Sequence, residues 1–339
     1  MSAGAASATM KALVYTAPNQ IVYRDEPTPV RKSSDEVLIR VEAVGICGSD
    51  MHAYHGHDPR RVPPMILGHE LAGVIAEGEG AGRRVTVNPL IACGICEYCV
   101  QGRDNLCANR TMIGMTRAGA FAEWMTTARR SVIELPEGMR AREAALTEPA
   151  ATAWHALHLA SRALVKPLAD CSALVLGGGA IGMLATLLLA HQGARRIGVA
   201  ETNALRRQTL RRATRADIHD PLERAPESNA FDLVVDAVGA KATRNVALAA
   251  ARQGGVIVHI GLQDWTSEID MRKLTLSEIT LIGTYTYSTA DLRATARALH
   301  DGAFGDLDWI EERPLADGAA AFRDLHEGRA AAAKIVLRP

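Results

Sequence analysis

The first third of the chain alternates apolar and polar residues over short runs. The alternation covers residues 11–15, 36–44, 71–77 and 84–87, and turn-forming residues such as Pro18 and Asn19 separate the runs. Alternation with a period of two, bounded by turn residues, predicts β-strands with one buried face. This part of the chain is therefore expected to form an all-β, barrel-like domain.

From about Ala150 the pattern changes to long Ala- and Leu-rich stretches that alternate with short apolar runs. Such alternation is typical of helices and buried strands in a doubly wound parallel sheet. The runs predicted as strands of this sheet are residues 173–176, 196–200, 233–235, 256–260 and 280–284. A last run, residues 333–337, is predicted to be an edge strand that returns to the first domain.

Residues 171–190 contain no charged side chain, and a stretch of this length is sufficient to span a bilayer. Four glycines, Gly177, Gly178, Gly179 and Gly182, interrupt the stretch directly after an apolar run. We favour a strand, a glycine-rich turn and a buried helix over a membrane span. No membrane is therefore expected as a partner.

The charge balance narrows the class of partner. Lys and Arg together number 38, as do Asp and Glu, so no basic surface is predicted for nucleic acid or an anionic membrane. A small-molecule substrate is the remaining expectation, and 339 residues are enough for two domains.

The N-terminal segment, residues 1–9, is rich in Ala and Ser and has neither a basic start nor an apolar centre. It is therefore not a secretory signal, and we expect a disordered extension before Met10, the expected natural start. Without a signal, and with a thiol-rich loop further on, the protein is expected in the cytoplasm.

Four of the six cysteines lie close together. They are Cys93, Cys96, Cys99 and Cys107, in the spacing C-x2-C-x2-C-x7-C. Four thiolates supply a closed tetrahedral shell for Zn²⁺, which makes this a predicted structural zinc site. The alternative, a loop held by disulfides, requires an oxidising compartment.

A glycine motif of the form G-x-G-x-x-G follows the first strand of the predicted parallel sheet. Its residues, expected to contact a dinucleotide, are Gly177, Gly179, Ala180, Ile181 and Gly182. Glycines at this spacing allow a tight turn and let the backbone approach a pyrophosphate at a helix N-terminus.

An acidic residue at the end of the next predicted strand strengthens this interpretation. Glu201 stands nineteen residues after Gly182, where a carboxylate binds the hydroxyls of the adenosine ribose. A free 2′-hydroxyl is favoured there over a phosphate, so NAD is expected rather than NADP. Arg206 and Arg207 follow, and they either stack on adenine or, less favourably, meet a 2′-phosphate.

A further cluster of candidate residues runs from Gly45 to His52 and continues at Gly68-His69-Glu70. With it, the sequence resembles the zinc-dependent medium-chain alcohol and polyol dehydrogenases over the whole chain from Met10. The resemblance implies a GroES-like β-barrel catalytic domain over residues 10–149, with a structural zinc lobe at about 90–110. It further implies a Rossmann NAD-binding domain over 150–287, a return to the catalytic domain over 288–339, and a homo-oligomer, either a tetramer or a dimer.

The resemblance also assigns a catalytic zinc. Cys47 and His69 match two of its ligands, and Glu148 matches the third. Glu70 matches a nearby carboxylate that enters the zinc shell in some members. Three protein ligands leave one position open for an alcohol, whose proton is then lost more easily.

The remaining functional roles follow from the same resemblance. Ser49 and His52 match a relay that takes the alcohol proton to solvent, and Asp50 would orient His69. Thr152 matches a position that packs on the nicotinamide. Ile260 and Gly261 are likewise expected to contact the cofactor.

Two further details limit these assignments. His55 and His57 are expected to be polar loop groups. Polyol enzymes carry an Arg-Tyr pair at the stretch that here reads Thr286-Tyr287, so the tyrosine remains and the cation is lost. A modest pocket for a small secondary alcohol or diol is therefore expected.

The predicted activity is hydride transfer between NAD and a secondary alcohol or polyol and its ketone, with one catalytic and one structural Zn²⁺. One alternative is a threonine-type amino-alcohol dehydrogenase, which also uses a glutamate as third ligand. An alternative of another class is an inactive zinc-binding interaction protein. That alternative requires a broken ligand set or relay, and neither is seen.

Overall fold

The computed structural model describes residues 8–339 of the chain. Residues 1–7 of the predicted N-terminal extension lie outside the described residues. The expectation that Thr9 belongs to a disordered segment is wrong, because Thr9 begins the first strand and pairs with Pro27. The composition of residues 1–9 does not indicate this strand end, because Thr9 is held by pairing with Pro27 on the following strand.

In the described part of the chain, residues 8–144 contain ten short strands and three short α-helices. In chain order they are β1 (Thr9–Ala17), β2 (Gln20–Pro27), β3 (Glu36–Gly45), α1 (Gly48–Tyr54), β4 (Met65–Ile66), β5 (Glu70–Glu77), β6 (Arg84–Val87), β7 (Leu90–Ile91), α2 (Glu97–Val100), β8 (Thr111–Met112), β9 (Trp124–Ala128), β10 (Val132–Glu134) and α3 (Ala141–Ala144). The four runs predicted from alternation lie within β1, β3, β5 and β6. Each of these four strands has a largely buried face, which explains why their pattern was visible.

The next part alternates strands and helices. After α4 (Thr147–Ala163) come β11 (Ser172–Leu176), α5 (Ala180–His191), β12 (Arg196–Ala200), α6 (Ala204–Ala213), β13 (Asp217–His219), β14 (Phe231–Asp236), α7 (Lys241–Ala250), β15 (Ala251–His259), α8 (Met271–Leu276) and β16 (Thr280–Gly283). The six strands form one parallel sheet in the order β13-β12-β11-β14-β15-β16. The order reverses between β11 and β14, and ligands bind at such a reversal in open α/β sheets.

The C-terminal part adds α9 (Thr289–His300), β17 (Ile310–Pro314), α10 (Gly318–His326) and β18 (Lys334–Arg338). Strand β18 pairs with β17 and, antiparallel, with β3, where Val336 lies opposite Gly45. Both strands thereby join the sheet of order β10-β6-β5-β3-β18-β17, to which β9 is attached through β3. The chain thus returns to the barrel after the parallel sheet.

One buried apolar cluster connects the barrel to the parallel sheet. It includes Ala43 and Ala72 of the barrel together with Val175 and Leu184 of the sheet and its first helix. Helix α4 lies between these parts and crosses the predicted boundary at residue 150, so the domain limits stay a prediction.

The charge-free stretch 171–190 forms β11, the glycine-rich turn and most of α5. Within residues 8–339, no helix combines the length and the apolar character that a membrane crossing requires.

Candidate active site

Three potential metal ligands meet where α1 and β5 begin. The sulfur of Cys47, a ring nitrogen of His69 and a carboxylate oxygen of Glu70 all lie within 4.8 Å of one another. Cys47 is the N-cap of α1, and its backbone N–H donates to Asp50 Oδ2 at 3.0 Å. The cap therefore fixes the direction of the thiol at the start of the helix.

Asp50 lies beside His69, as the resemblance implied. Its Oδ1 is 3.5 Å from His69 Nδ1, and both side chains are buried. Burial opposes the charged imidazole, but Asp50 and Cys47 raise the pKa of His69 well above its ordinary value. The surroundings of His69 are thus strongly anionic and favour a cation.

Glu70 has a partner that the sequence did not indicate. Lys334 Nζ donates to both carboxylate oxygens, at 2.7 and 2.6 Å, and to the carbonyl of Ile46 at 2.8 Å. Burial disfavours the ammonium, but Glu70 and Cys47 raise the pKa of Lys334. Glu70 is therefore neutralised by a buried cation in this structure.

Glu148 lies in the first turn of α4 and is almost fully buried. It is not in the 4.8 Å group, which among the described residues comprises Cys47, His69 and Glu70. Tyr287 donates its hydroxyl proton to Glu148 Oε1 at 2.6 Å. Burial raises the pKa of Glu148. The charge of His69 lowers this pKa, and the charge of Glu70 raises it further. One oxygen of Glu148 is thus held by Tyr287.

The donor set fits zinc. A thiol, an imidazole and a carboxylate are groups that Zn²⁺ binds in proteins. Here they come from half-buried Cys47 and from buried His69 and Glu70, and they lie within 4.8 Å of one another. When the thiol of Cys47 and the carboxyl groups of Glu70 and Glu148 are ionised, their negative charge exceeds the single positive charge of Lys334. A further cation is then needed at this position.

The candidate proton relay is held by an arginine that sequence reasoning missed. Arg61, which is 2% exposed, donates to the Ser49 hydroxyl oxygen at 3.1 Å and to the Ser49 carbonyl at 2.9 Å. Asp58 accepts from Arg61 at 2.9 Å. No local motif marks Arg61, and only its burial identifies it. Burial and the nearby His57 lower the pKa of His52, so its imidazole is neutral near pH 7.

The four clustered cysteines also meet in space. Their sulfurs lie within 4.8 Å of one another, and none of them is in a disulfide. Backbone N–H groups of Ile95 and Cys96 lower the pKa of Cys93 to about 6, whereas burial and Cys96 raise the pKa of Cys99 to about 12. Four adjacent thiols resist joint ionisation without a cation, as expected of a tetrahedral zinc site.

The lobe that carries these cysteines contacts the segment between β16 and α9. Asp104 accepts from the backbone N–H of Thr289 at 3.0 Å and from the Thr289 hydroxyl. Asn105 donates to the carbonyl of Tyr285 at 2.9 Å, and the guanidinium of Arg110 lies 4.8 Å from the centre of the Tyr285 ring. The same segment contains Tyr287, the partner of Glu148.

The glycine-rich turn has the shape that a pyrophosphate site requires. Gly177 has φ of +93°, and a Cβ on Gly182 would stand 1.8 Å from the carbonyl oxygen of Gly177. Glu201 is buried and accepts from the N–H of Gly178 at 2.6 Å and from that of Asn203 at 2.7 Å. Its carboxylate therefore also stabilises the turn, a role that the sequence did not indicate.

The two arginines after Glu201 have different surroundings. Arg207 forms an ion pair with Asp220 at 2.8 Å and donates to the carbonyls of Glu201 and Thr202. Arg206 has a buried Nε without a protein partner. Arg207 is therefore occupied by protein partners, whereas the Nε group of Arg206 is not.

The ends of β14, β15 and β16 close the expected nicotinamide region. The N–H groups of Ile260 and Gly261 both donate to the carbonyl of Asp236. Further along, Thr286 has φ of 49°, an uncommon conformation for a β-branched residue. The hydroxyls of Thr284 and Thr286 are buried without a partner, so polar groups are available here for a bound cofactor. Thr152 is half-buried on α4.

Comparison with known proteins agrees with this geometry. Residues 33–137 match the family model for the alcohol dehydrogenase GroES-like domain, and residues 180–301 match that for zinc-binding dehydrogenase. L-galactonate-5-dehydrogenase of Escherichia coli K12 is 30% identical, with 95% of this chain and 97% of that protein covered. An L-threonine 3-dehydrogenase of Sinorhizobium fredii is 30% identical over 81% of this chain and 83% of its own length. The structure of acetophenone reductase from Geotrichum candidum in complex with NAD superposes with a TM-score of 0.88 at 26% identity, covering 99% of each chain.

The chain belongs to the zinc-dependent medium-chain dehydrogenase/reductase family. The predicted fold class, a GroES-like barrel with a Rossmann parallel sheet, is confirmed, and so are the enzyme class and the cofactors, zinc and NAD. The protein is a zinc-dependent oxidoreductase that transfers hydride between NAD and a secondary alcohol or polyol and its ketone.

Proposed function

We propose that the catalytic centre is the buried group of Cys47, His69 and Glu70 together with Glu148, and that its substrates are short secondary alcohols and vicinal diols. The observation that supports this proposal is that donor atoms of Cys47, His69 and Glu70 lie within 4.8 Å of one another. Glu148, in the first turn of α4, is close enough for the charges of His69 and Glu70 to shift its pKa. Cys47, His69 and Glu148 are the proposed resting zinc ligands, because Lys334 occupies both oxygens of Glu70.

Zinc at this position would lower the pKa of a bound alcohol. The protein groups then manage the proton. Arg61 donates a hydrogen bond to Ser49 Oγ and so occupies one lone pair of the hydroxyl oxygen. The hydroxyl proton of Ser49 is not used in this contact, so the serine can donate it to the next group of the relay. The neutral imidazole of His52 is the proposed acceptor on the solvent side.

The cofactor residues are proposed as they were expected from the sequence. Gly177, Gly179, Ala180, Ile181 and Gly182 would hold the pyrophosphate. Glu201 would face the adenosine ribose through the lone pairs that its two amide donors leave free, with Arg206 beside it. Thr152, Ile260 and Gly261 would contact the nicotinamide.

The substrate proposal rests on Thr286. A threonine at this position supplies no donor fork for several distal hydroxyls, and a buried hydroxyl left without partners costs about 1–3 kcal/mol. Short substrates are therefore expected to react better than six-carbon polyols.

A threonine-type amino-alcohol dehydrogenase is the second candidate function. The observation that favours it is the similarity to L-threonine 3-dehydrogenase at 30% identity. An inactive interaction protein is disfavoured, because every proposed ligand and relay residue is present and buried or half-buried at the site.

The test is a panel of alcohols followed by NADH absorbance. It contains C4–C6 vicinal diols, simple secondary alcohols, sorbitol and L-threonine, and Cys47→Ala with its zinc content measured is the control. We expect kcat/KM for short diols to exceed that for sorbitol, and Thr286→Arg to shift the ratio towards sorbitol. A higher value for sorbitol contradicts the substrate proposal, a higher value for L-threonine selects the second candidate, and full activity of Cys47→Ala contradicts the site.

We also propose that the protein is cytoplasmic and forms a dimer or tetramer. Support for a reducing compartment comes from the six cysteines, all free in the structure. Support for self-association comes from apolar side chains near the edge strand β16, where Trp265 is 85%, Leu276 69% and Leu281 43% exposed. Sedimentation of the wild type against Leu281→Lys tests the assembly, and a monomeric wild type would contradict it.

A further inference from the structure

Three histidines outside the proposed chemistry lie together at the surface of the barrel. His55 follows α1, and His326 is the last residue of α10. Nitrogen Nε2 of His55 is 2.9 Å from Nδ1 of His326, although 271 residues separate them. The ring of His57 has its centre 5.7 Å from that of His55. We call His55, His57 and His326 the imidazole cluster.

Two packed helices hold the cluster in place. The ring of Tyr54, at the end of α1, lies 5.4 Å from that of Phe322 on α10. Both rings are buried, so the two helix ends that carry His55 and His326 are fixed relative to each other. His57 is exposed and is free to change its rotamer.

The first histidine of the cluster, His55, is in the form that binds metals. Burial and the neighbouring His326, His57 and His52 lower the pKa of His55, so its imidazole is neutral near pH 7 and keeps a free lone pair.

The spacing also agrees with shared coordination. Two imidazole nitrogens on one tetrahedral Zn²⁺ are about 3.3 Å apart, since each Zn–N bond is about 2.0–2.1 Å. The 2.9 Å between His55 Nε2 and His326 Nδ1 therefore requires a shift of only a few tenths of an ångström. A direct hydrogen bond between His55 and His326 would also explain why these two rings are so close. It does not explain why His57 lies beside them.

We propose that His55, His57 and His326 form a binding site for a divalent transition cation of the Zn²⁺ and Ni²⁺ class, separate from the Cys47 and Cys93 sites. Imidazole nitrogen is a ligand that both ions prefer. The bound cation joins the end of α1 to the end of α10, and it stabilises the folded protein because the unfolded chain does not hold the three rings together. The site does not depend on the proposed substrate or relay.

The experiment is calorimetric titration of the zinc-loaded enzyme with Ni²⁺, with released zinc measured in parallel. We expect one equivalent of Ni²⁺ to bind without zinc release and to raise the Tm of the wild type. His326→Gln and His55→Gln should lose this equivalent and the Tm rise, and His57→Gln should weaken binding about tenfold, which corresponds to about 1.4 kcal/mol.

The matched control is His300→Gln, which changes an exposed histidine at the end of α9. It should bind Ni²⁺ like the wild type. All four variants should match the wild type in far-UV circular dichroism, which shows that they fold. Absence of an additional equivalent in the wild type, its persistence in His326→Gln, or release of zinc equal to the Ni²⁺ taken up would each overturn the proposal.

Discussion

Lys334 and Tyr287 each hold one of the two carboxylates at the candidate centre, and they do so differently. Lys334 contacts both oxygens of Glu70 and supplies a full positive charge, whereas Tyr287 contacts one oxygen of Glu148 and supplies only a proton donor. A carboxylate with one free oxygen is the better metal ligand, and this difference separates the roles proposed for Glu148 and Glu70.

The buried ion pair leads to a stability prediction. Lys334→Met leaves Glu70 as an unpaired buried charge, and this should lower the free energy of unfolding by about 3–5 kcal/mol. Adding Glu70→Gln should recover part of the loss because the charge is removed. Urea denaturation measures both.

Arg338→Met on the same strand is the control, because its ion pair with Glu312 is largely exposed. It should cost less than about 1 kcal/mol. If Lys334→Met is no more destabilised than Arg338→Met, Lys334 does not neutralise a buried charge on Glu70.

Cofactor choice is the second prediction at this scale. Glu201→Ala removes the carboxylate that we propose faces the ribose and repels a 2′-phosphate. The ratio of kcat/KM for NAD to that for NADP should therefore fall about tenfold or more, equivalent to about 1.4 kcal/mol. Activity with NAD should also fall, because the carboxylate accepts from the glycine turn.

Arg206→Ala distinguishes the two arginines. It should weaken both nucleotides, while Arg207→Ala, which breaks the pair with Asp220, should mainly affect stability. A wild-type preference for NADP would show that the arginines outweigh Glu201.

At the scale of elements, the N-terminus of α9 is fastened to α4. Asp291 accepts from the hydroxyl and the N–H of Ser288 in a capping box and lies 2.8 Å from His155 Nδ1. Burial opposes its charge, but His155 and Ser288 lower the pKa of Asp291 to about 2.

This pKa predicts how stability depends on pH. The folded value of about 2 lies below the ordinary 3.8, so the contribution is complete above about pH 4 and is lost as the pH falls through about 2. Asp291→Asn should therefore lower the free energy of unfolding by about 2 kcal/mol at pH 7 and by almost nothing below about pH 2.

Denaturant unfolding at several pH values measures the effect. Asp301→Asn, at the exposed other end of α9, should change stability by less than about 0.5 kcal/mol at any pH. A constant difference between Asp291→Asn and the wild type from pH 7 to pH 2 would contradict the pKa assigned to Asp291.

Elements with a regular pattern could be predicted from the sequence, and others could not. Strand β12 was predicted with its observed limits, because four of its five residues are apolar or glycine and charged residues lie at and beyond its ends. Strand β2 was missed, since six of its eight residues are polar or proline and its face is largely exposed.

The candidate site was predictable in part for the same physical reason. The spacing of the four clustered cysteines identified them, whereas the resemblance to the dehydrogenases identified Cys47 and His69 as candidate ligands. Lys334 was not identified, and Tyr287 was noted without its contact to Glu148. Their partners are 264 and 139 residues away, and no local pattern records such contacts.

At the scale of the whole molecule, the cysteine lobe connects the barrel to the far end of the parallel sheet. Asp104 and Asn105 bind the segment that carries Thr286 and Tyr287. Loss of the structural zinc is therefore expected to disturb the substrate pocket as well as the lobe.

Cys99→Ser tests this connection. It should reduce bound zinc from two ions to one, lower the Tm and raise KM for the alcohol, because the lobe loses a ligand whose binding energy is also folding energy. Asp104→Ala should keep both zinc ions and still raise KM. Unchanged KM in Asp104→Ala, measured beside its zinc content, would show that the lobe stabilises the fold without acting on the pocket.

The late position of β18 has a consequence for how the protein is made. Lys334 is synthesised 264 residues after Glu70, which at ribosomal speeds of about 5–20 residues per second is a delay of roughly 13–50 s. During that delay β3 lacks a neighbour and the Glu70 carboxylate lacks its cation, while the whole parallel sheet emerges and folds. We therefore expect the proposed catalytic centre to be complete only after β18 has been synthesised and has paired with β3.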